Sequence, residues 1–151
     1  MAVTVTELMT PYPVVVDAAT PVARCARLMD DRDIGALGVM REGQLVGVLT
    51  DRDIVIRAVA RELDLASIDA GAIATPKVVA VGSDTPIEEA EQRMREHAVR
   101  RLFIVAHDGR PLGILTLDDL VAMRDPNSIA ARQIREWSIV RSDLGYAGGD
   151  D

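Results

Sequence analysis

The chain alternates short apolar runs with amphipathic stretches, and the same order of segments occurs twice. Val22, Cys25, Ala26 and Met29 recur at the three- and four-residue spacing of one helical face. Pairs of apolar runs joined by a glycine-containing turn follow, as expected for β-hairpins. The pattern therefore predicts the order β-α-β-β-α, present in two copies.

The predicted elements of the two copies correspond one to one. In the first copy they are strands at 14–16, 36–40 and 44–49, and helices after Thr20-Pro21 and over 51–61. In the second copy they are strands at 78–81, 101–106 and 111–115, and helices after Thr85-Pro86 and over 117–123. Threonine as N-cap with proline at the first helical position is a common helix start, and Thr85 with Glu88 has the spacing of a capping box.

A nearly constant offset relates the copies. Thr10-Pro11 recurs as Thr75-Pro76, an offset of 65, and after one inserted residue Asp53 recurs as Asp119, an offset of 66. An offset held over about 45 positions indicates an internal duplication. It divides the chain into a first repeat at 5–62, a second repeat at 72–124 and a C-terminal helical tail at 125–151. Because units of about 50 residues are marginally stable alone, we predict one α/β (α+β) globule with pseudo-two-fold symmetry and two equivalent clefts.

The charge and cysteine content narrow the function classes. Seventeen Lys and Arg against 24 Asp and Glu give a net charge of −7, which argues against nucleic acid and anionic membranes as partners. The single cysteine, Cys25, can form no internal disulfide, and no apolar run has the length of a membrane span. We therefore expect a soluble, cytoplasmic protein.

The strongest chemical signal is Gly-x-x-Thr-x-x-Asp at a strand-to-helix junction. It comprises Gly47, Thr50 and Asp53 in the first copy and Gly113, Thr116 and Asp119 in the second. Glycine lets another group approach the backbone, free amides at a helix start attract phosphate, and a carboxylate accepts hydrogen bonds from two ribose hydroxyls. The alternative is a Thr-x-x-Asp capping box that needs no ligand. Its recurrence in both copies favours at least one nucleotide site.

The repeats and their motifs resemble a tandem pair of CBS domains, the Bateman module, over residues 5–125, about four-fifths of the chain. The segments 33–37, 49–57 and 97–102 are similar to those of bacterial stand-alone CBS-pair proteins, including hypoxic and stress-response members. The resemblance implies a disc-shaped homodimer. It also implies an adenosine compound as regulatory ligand, namely AMP, ADP, ATP, S-adenosylmethionine or NADH, with no required cofactor.

The resemblance also implies which residues form the two clefts. The first cleft would comprise Val48, Thr50 and Asp53, with Lys77 and Val78 near the adenine. The second would comprise Ile114, Thr116 and Asp119, with Tyr12, Val14 and Ile34 around the base. Arg52 is equally consistent with a phosphate contact and with an ion pair to a neighbouring aspartate.

Arg100 and Arg101 match a position where the family often places cations on phosphates. Their first-copy counterparts, Gly35-Ala36, carry no charge. We therefore expect unequal clefts, with the Thr50/Asp53 cleft the better one for a charged nucleotide. The alternative is a solvated strand end or an ion pair with Glu91 or Glu96, and a regular strand could aim only one of the two arginines inward.

Three function classes remain. The first is an adenine-nucleotide sensor that acts as a homodimer, without its own catalytic domain, through an unidentified effector protein. The second is a ligand-free CBS pair that serves as a structural or protein-interaction dimer in the stress response. The third, an enzyme, is disfavoured because no nucleophile–base pair or metal-ligand cluster is evident, and His97 and His107 do not indicate a metal site.

Trp137 lies in the predicted tail and has two possible roles. It would cover the flank of its own module or, as the favoured alternative, contact a partner subunit.

Overall fold

The computed structural model describes residues 3–129 and residue 132. In the first half it contains α1 (Val5–Leu8), β1 (Thr10–Pro11), β2 (Val15–Asp17), α2 (Val22–Arg32), β3 (Ala36–Arg41), β4 (Gln44–Thr50) and α3 (Asp51–Ile54), which continues as a π-helix over Val55–Val59. The second half contains α4 (Ala70–Ile73), β5 (Ala80–Gly82), α5 (Ile87–His97), β6 (Arg101–Val105), β7 (Pro111–Thr116) and α6 (Leu117–Arg124). The predicted mixed α/β class is confirmed, whereas most of the predicted tail lies outside the described residues.

The two repeats have the same sheet topology. In the first, β2 is parallel to β3, and β3 is antiparallel to β4. In the second, β5 is parallel to β6, and β6 is antiparallel to β7. The resulting sheets have the orders β2-β3-β4 and β1-β7-β6-β5, so the second sheet has one extra edge strand.

Each sheet packs its helices on one face, and the two sheets meet through the other. Cys25 and Met29 of α2 lie in the first core with Leu37 and Leu49, and the second core is built in the same way. Burial raises the pKa of the Cys25 thiol. Phe103 reaches across from the second sheet to Gly38 of the first, where an added Cβ would lie 3.3 Å from the Phe103 ring. The repeats therefore pack against each other through their inner sheet faces.

Two segments cross between the repeats. α1 and β1 begin the first repeat in the chain but pack with the second, because Thr10 of β1 pairs with Ile114 and Val5 of α1 is buried in the second core. α4 lies at the beginning of the second repeat but is buried in the first core through Ala70 and Ile73. We refer to residues 4–12 and 70–78 as the crossing segments. The sequence did not predict this exchange, because a short apolar segment does not specify which sheet it joins.

The helix starts differ from those predicted from the sequence. α2 and α5 begin at Val22 and Ile87, and no side chain caps either helix. Instead, the Val22 amide donates to the Ile68 carbonyl at 3.0 Å, and the Ile87 amide donates to the Val3 carbonyl at 3.1 Å. The predicted N-caps Thr20 and Thr85, and the predicted Thr85/Glu88 capping box, are therefore wrong. Distant backbone carbonyls satisfy these helix ends, and local spacing does not reveal them.

Candidate functional site

Both Thr/Asp pairs form complete capping boxes. The Asp53 amide donates to Thr50 Oγ1 at 3.1 Å, and the Thr50 amide donates to Asp53 Oδ2 at 3.0 Å. The corresponding distances at Thr116 and Asp119 are 3.2 and 2.9 Å. Each carboxylate uses Oδ2 for the cap and keeps Oδ1 for another donor. The capping interpretation thus describes the geometry of both junctions, and it leaves one acceptor atom in each.

The first junction has no free amide for a phosphate at the start of α3. The Asp51 amide donates to the Gly35 carbonyl at 3.0 Å, and the Arg52 amide donates to Asp51 Oδ1 at 2.8 Å. The Asp53 amide is occupied by Thr50. The expectation that free helix amides face a ligand is therefore wrong for this copy, and any phosphate there would have to contact side chains.

The motif glycines make room for the chain itself. A Cβ on Gly47 would lie 2.9 Å from the Thr75 carbonyl oxygen, and one on Gly113 would lie 2.9 Å from the Thr10 carbonyl oxygen. The sequence correctly indicated a close backbone approach, but the approaching group is a crossing segment rather than a ligand. Each cleft is consequently bordered by one β-hairpin and one crossing segment.

At the first cleft, the crossing segment brings two of the predicted residues towards the motif. The amide and carbonyl of Val48 exchange two 2.9 Å hydrogen bonds with those of Thr75. Lys77 and Val78 follow two and three residues after Thr75. Lys77 is exposed, and its Nζ donates to the carbonyl of His97 at 2.9 Å, while Val78 is half-buried.

Arg52 is also exposed at this cleft. Together with Asp51, it lines a shallow depression whose apolar side is formed by Val55 and Ile56. The guanidinium therefore borders an open surface directly beside the Thr50/Asp53 junction, where an anionic group has room to approach.

Arg57 is a residue that the sequence analysis did not place in the site. Its Nη1 donates to the Ile73 carbonyl at 2.9 Å, and its Nε lies 3.9 Å from Oδ1 of Asp53. The signal available in the sequence is the i, i+4 spacing of Asp53 and Arg57, which favours an ion pair on a helix. The counterpart of Arg57 in the second repeat is Met123, at the same offset of 66.

The second cleft is likewise bordered by a β-hairpin and a crossing segment, but its charged residues differ from those of the first. The pairing of Thr10 with Ile114 brings Tyr12 to this junction, where Tyr12 is 89% exposed and has a φ of 58°. Burial raises the pKa of Asp119, and the charge of Asp118 acts in the same direction, while hydrogen bonds from Thr116 oppose it. Val14 and Ile34, the other predicted residues, are half-buried and pack against the first core.

Arg101 lies opposite Thr116. The two residues are direct partners in the antiparallel pair β6–β7, whereas Arg100 precedes the strand and is exposed. Nη1 of Arg101 is buried and has no hydrogen-bond partner among the residues that the structure describes. The alternative ion pair with Glu91 is not formed, because Glu91 pairs with Arg124. The register therefore places the Arg101 charge beside Thr116, in its own repeat.

The remaining charges favour the first cleft for an anion. Arg52 lies in α3 next to the first junction, Arg57 forms an ion pair with Asp53, and Lys77 lies on the crossing segment. Their counterparts by repeat offset are Asp118, Met123 and Tyr12. Three cations of the first repeat and its crossing segment are thus replaced by one anion and two uncharged side chains. Even with Arg101 at the second junction, the first cleft has the more positive surroundings.

Two further features bear on the function. No helix within the described part of the chain is long and apolar enough to cross a membrane. Within that same part, no group of three or more His, Cys, Asp or Glu side chains is placed to hold a metal ion.

The sequence and fold are similar to those of known proteins. The CBS domain model matches residues 5–59 and 70–124. The CBS domain-containing protein YhcV of Bacillus subtilis is 32% identical over 134 residues, which cover 89% of this chain and 94% of that protein. Hypoxic response protein 1 of Mycobacterium tuberculosis is 36% identical over 117 residues, covering 77% and 74% of the two chains.

One solved structure with a similar fold contains an adenosine nucleotide. The CBS domain protein PAE2072 from Pyrobaculum aerophilum, complexed with AMP, superposes with a TM-score of 0.67 at 29% sequence identity. The match covers 78% of this chain and 90% of that one. With two matched domains, two equivalent sheets and one Thr/Asp junction in each repeat, the chain belongs to the CBS domain family as a tandem pair.

Proposed function

We propose that this protein is a regulatory CBS-pair sensor that binds an adenosine nucleotide such as AMP, ADP or ATP. The observation that carries the proposal is the Oδ1 of each capping aspartate, which the capping box does not use, next to a cleft bordered by a crossing segment. The AMP complex of a protein that is 29% identical supports an adenosine ligand. S-adenosylmethionine and NADH contain the same adenosine and are included in the test below.

In the first cleft, Asp53 Oδ1 accepts hydrogen bonds from the ribose hydroxyls, and the base packs between Val48 and Val78. Lys77 and Arg52 contact the phosphate with their side chains, because the amides at the start of α3 are already occupied. A guanidinium and an ammonium group are both suitable partners for a phosphate.

In the second cleft, Asp119 is the ribose acceptor and Thr116 holds it in place, with Ile114 and Tyr12 beside the base. Val14 and Ile34 complete the apolar side, and Arg101 supplies the positive charge, with Arg100 at its exposed rim. This cleft binds a charged nucleotide more weakly, since it has the carboxylate of Asp118 where the first cleft has Arg52, and that negative charge repels a phosphate.

The protein acts without catalysis, as a cytoplasmic homodimer. A nucleotide that contacts both the hairpin and the crossing segment stabilises the closed arrangement of the two repeats. Such a ligand shifts the conformational equilibrium only by its differential affinity for the two arrangements, and an effector protein detects the change. The 36% identity to a hypoxic response protein supports a role in the stress response.

One observation favours a second candidate function. Both capping boxes are complete without any ligand, so the Thr/Asp junctions have a sufficient structural role. A CBS pair that binds no nucleotide and serves as an interaction dimer is therefore the alternative.

A thermal-shift screen tests the proposed function. The purified full chain is melted with millimolar AMP, ADP, ATP, S-adenosylmethionine or NADH, and with GTP and GMP as base controls. A ligand at 100 times its Kd adds about 2.7 kcal/mol, which raises the Tm by several degrees. A shift restricted to adenosine compounds supports the sensor. If none of these ligands raises the Tm, the sensor proposal is contradicted and the interaction dimer is favoured. Sedimentation of the same samples measures the number of subunits.

A further inference from the structure

Arg57 connects the two walls of the first cleft. On one side, its Nε faces Oδ1 of Asp53 at 3.9 Å, and on the other its Nη1 donates to the Ile73 carbonyl at 2.9 Å. Ile73 ends α4, and two residues later Thr75 pairs with Val48. A single side chain thus joins the carboxylate at the junction to the crossing segment that carries Lys77.

Partial burial strengthens the ion pair between Arg57 and Asp53. The Arg57 side chain is 38% exposed and that of Asp53 only 14%, so the carboxylate faces the guanidinium in a partly desolvated space. The Coulomb attraction between two such charges is stronger in a partly desolvated space than in open water. The Asp53 carboxylate thus accepts a hydrogen bond from the Thr50 amide at Oδ2 and lies within ion-pair distance of Arg57 at Oδ1.

The backbone departs from a regular α-helix at this residue. Arg57 lies in the π-helical segment Val55–Val59, whereas the equivalent part of the second repeat belongs to the regular helix α6 and has Met123. π-Helical turns are rare and occur frequently at functional sites. The first repeat alone therefore combines an unusual backbone with a cation at this position.

We propose that Arg57 is a positioning residue for the first cleft, acting through Asp53 and the crossing segment. This inference rests on the proposed nucleotide site. Arg57 keeps the Asp53 carboxylate oriented for the ribose hydroxyls and holds the Ile73 carbonyl, so that Lys77 stays beside the cleft. The second cleft, with Met123, has no such connection, and the two clefts therefore differ in how binding is transmitted to the crossing segment.

The test follows both clefts separately in the full-length protein. In two-dimensional NMR spectra, the Thr50 and Thr116 amides report the two junctions while AMP is titrated. We expect Arg57→Met to raise the AMP Kd at Thr50 about tenfold. Arg57→Lys, which keeps a charge near Asp53, should have a smaller effect, and neither variant should change the Kd at Thr116. Arg27→Met, an exposed arginine on α2, is the matched control.

Amide exchange in the nucleotide-free protein provides a second measurement. Loss of the Arg57 contact to Ile73 should accelerate exchange at the Thr75 amide, which donates to Val48. Suppose that the unaltered protein binds AMP and that Arg57→Met changes the Kd at Thr50 by no more than about twofold. The proposed role of Arg57 would then be overturned, while the proposed nucleotide site would stand. Equal weakening at Thr50 and Thr116, without rescue by lysine, would indicate general structural damage and also overturn the role of Arg57.

The failure of the proposed function has a different signature. If AMP, ADP and ATP perturb neither Thr50 nor Thr116 in the unaltered protein, the nucleotide site itself is absent. The assignment of Arg57 as a positioning residue for ribose then fails with it, whatever the exchange rate at Thr75.

Discussion

Individual side chains at the two junctions have a structural role that is compatible with the proposed nucleotide site. Asp53 and Asp119 each hold a helix start through Oδ2, which explains why a Thr-x-x-Asp motif is stable without a ligand. The same cap fixes the direction of Oδ1, so the atom that a ribose would contact is already oriented. The capping and nucleotide interpretations therefore rest on the same geometry, and only the surroundings distinguish the two copies.

Replacing the two aspartates separates these roles. We expect Asp53→Ala to abolish the tighter nucleotide binding, an effect of about 10- to 100-fold for a hydrogen-bond acceptor that carries a charge. Asp119→Ala should leave that tighter binding nearly unchanged, because Asp119 belongs to the other cleft, where Asp118 and Met123 replace the cations Arg52 and Arg57. Isothermal titration with AMP measures both.

Asp119→Ala also serves as the matched control, because each substitution removes one capping box at an equivalent junction. A general loss of helix stability would therefore affect both variants alike. Equal reductions in nucleotide affinity would contradict unequal clefts.

Among the elements, the sequence predicted the helices and hairpins well and the short connecting segments poorly. The apolar spacing of α2 and the glycine turn between β3 and β4 are local signals, so the periodicity found them. The four-residue helices α1 and α4 have no periodicity of their own, and their places depend on contacts with a distant sheet. For the same reason, Arg57 could be paired with Asp53 by spacing, but its contact with Ile73 could not be foreseen.

The crossing of α4 past β4 depends on Gly47. A side chain there would place Cβ 2.9 Å from the Thr75 carbonyl oxygen, a rigid backbone atom. We expect Gly47→Ala to destabilise the protein by about 1–3 kcal/mol, since the crossing segment must move away from Val48. Urea unfolding measures the change.

Gly82→Ala is the control for that substitution, because nothing lies within 4 Å of an added Cβ at this strand end. It should be neutral or stabilise the protein by up to about 1 kcal/mol through the unfolded chain. If Gly47→Ala proved as mild as Gly82→Ala, the tight crossing described for the first cleft would be wrong.

In the whole molecule, the exchange of crossing segments makes neither repeat complete on its own. The first core needs Ala70 and Ile73 from the crossing segment 70–78, and the second core needs Val5 from the crossing segment 4–12. The duplication was evident from the sequence because the offset is regular. The exchange was not, because Val5 and Ala70 fit equally well into either sheet until the register of β1 and β7 is known.

The crossing of segments predicts that a destabilising substitution near the N-terminus lowers the stability of the second repeat. Val5 is fully buried, and its counterpart at the offset of 65 is Ala70, so Val5→Ala gives both positions the same side chain. Removing the two methyl groups from the second core should cost about 1–3 kcal/mol. Hydrogen exchange should then accelerate first in β6 and β7, some 100 residues away in the chain, while β3 and β4 keep their protection longer. If hydrogen exchange accelerated first in β3 and β4, the N-terminal segment would stabilise the first repeat instead. That result would refute the crossing of segments between the repeats, on which both proposed clefts depend.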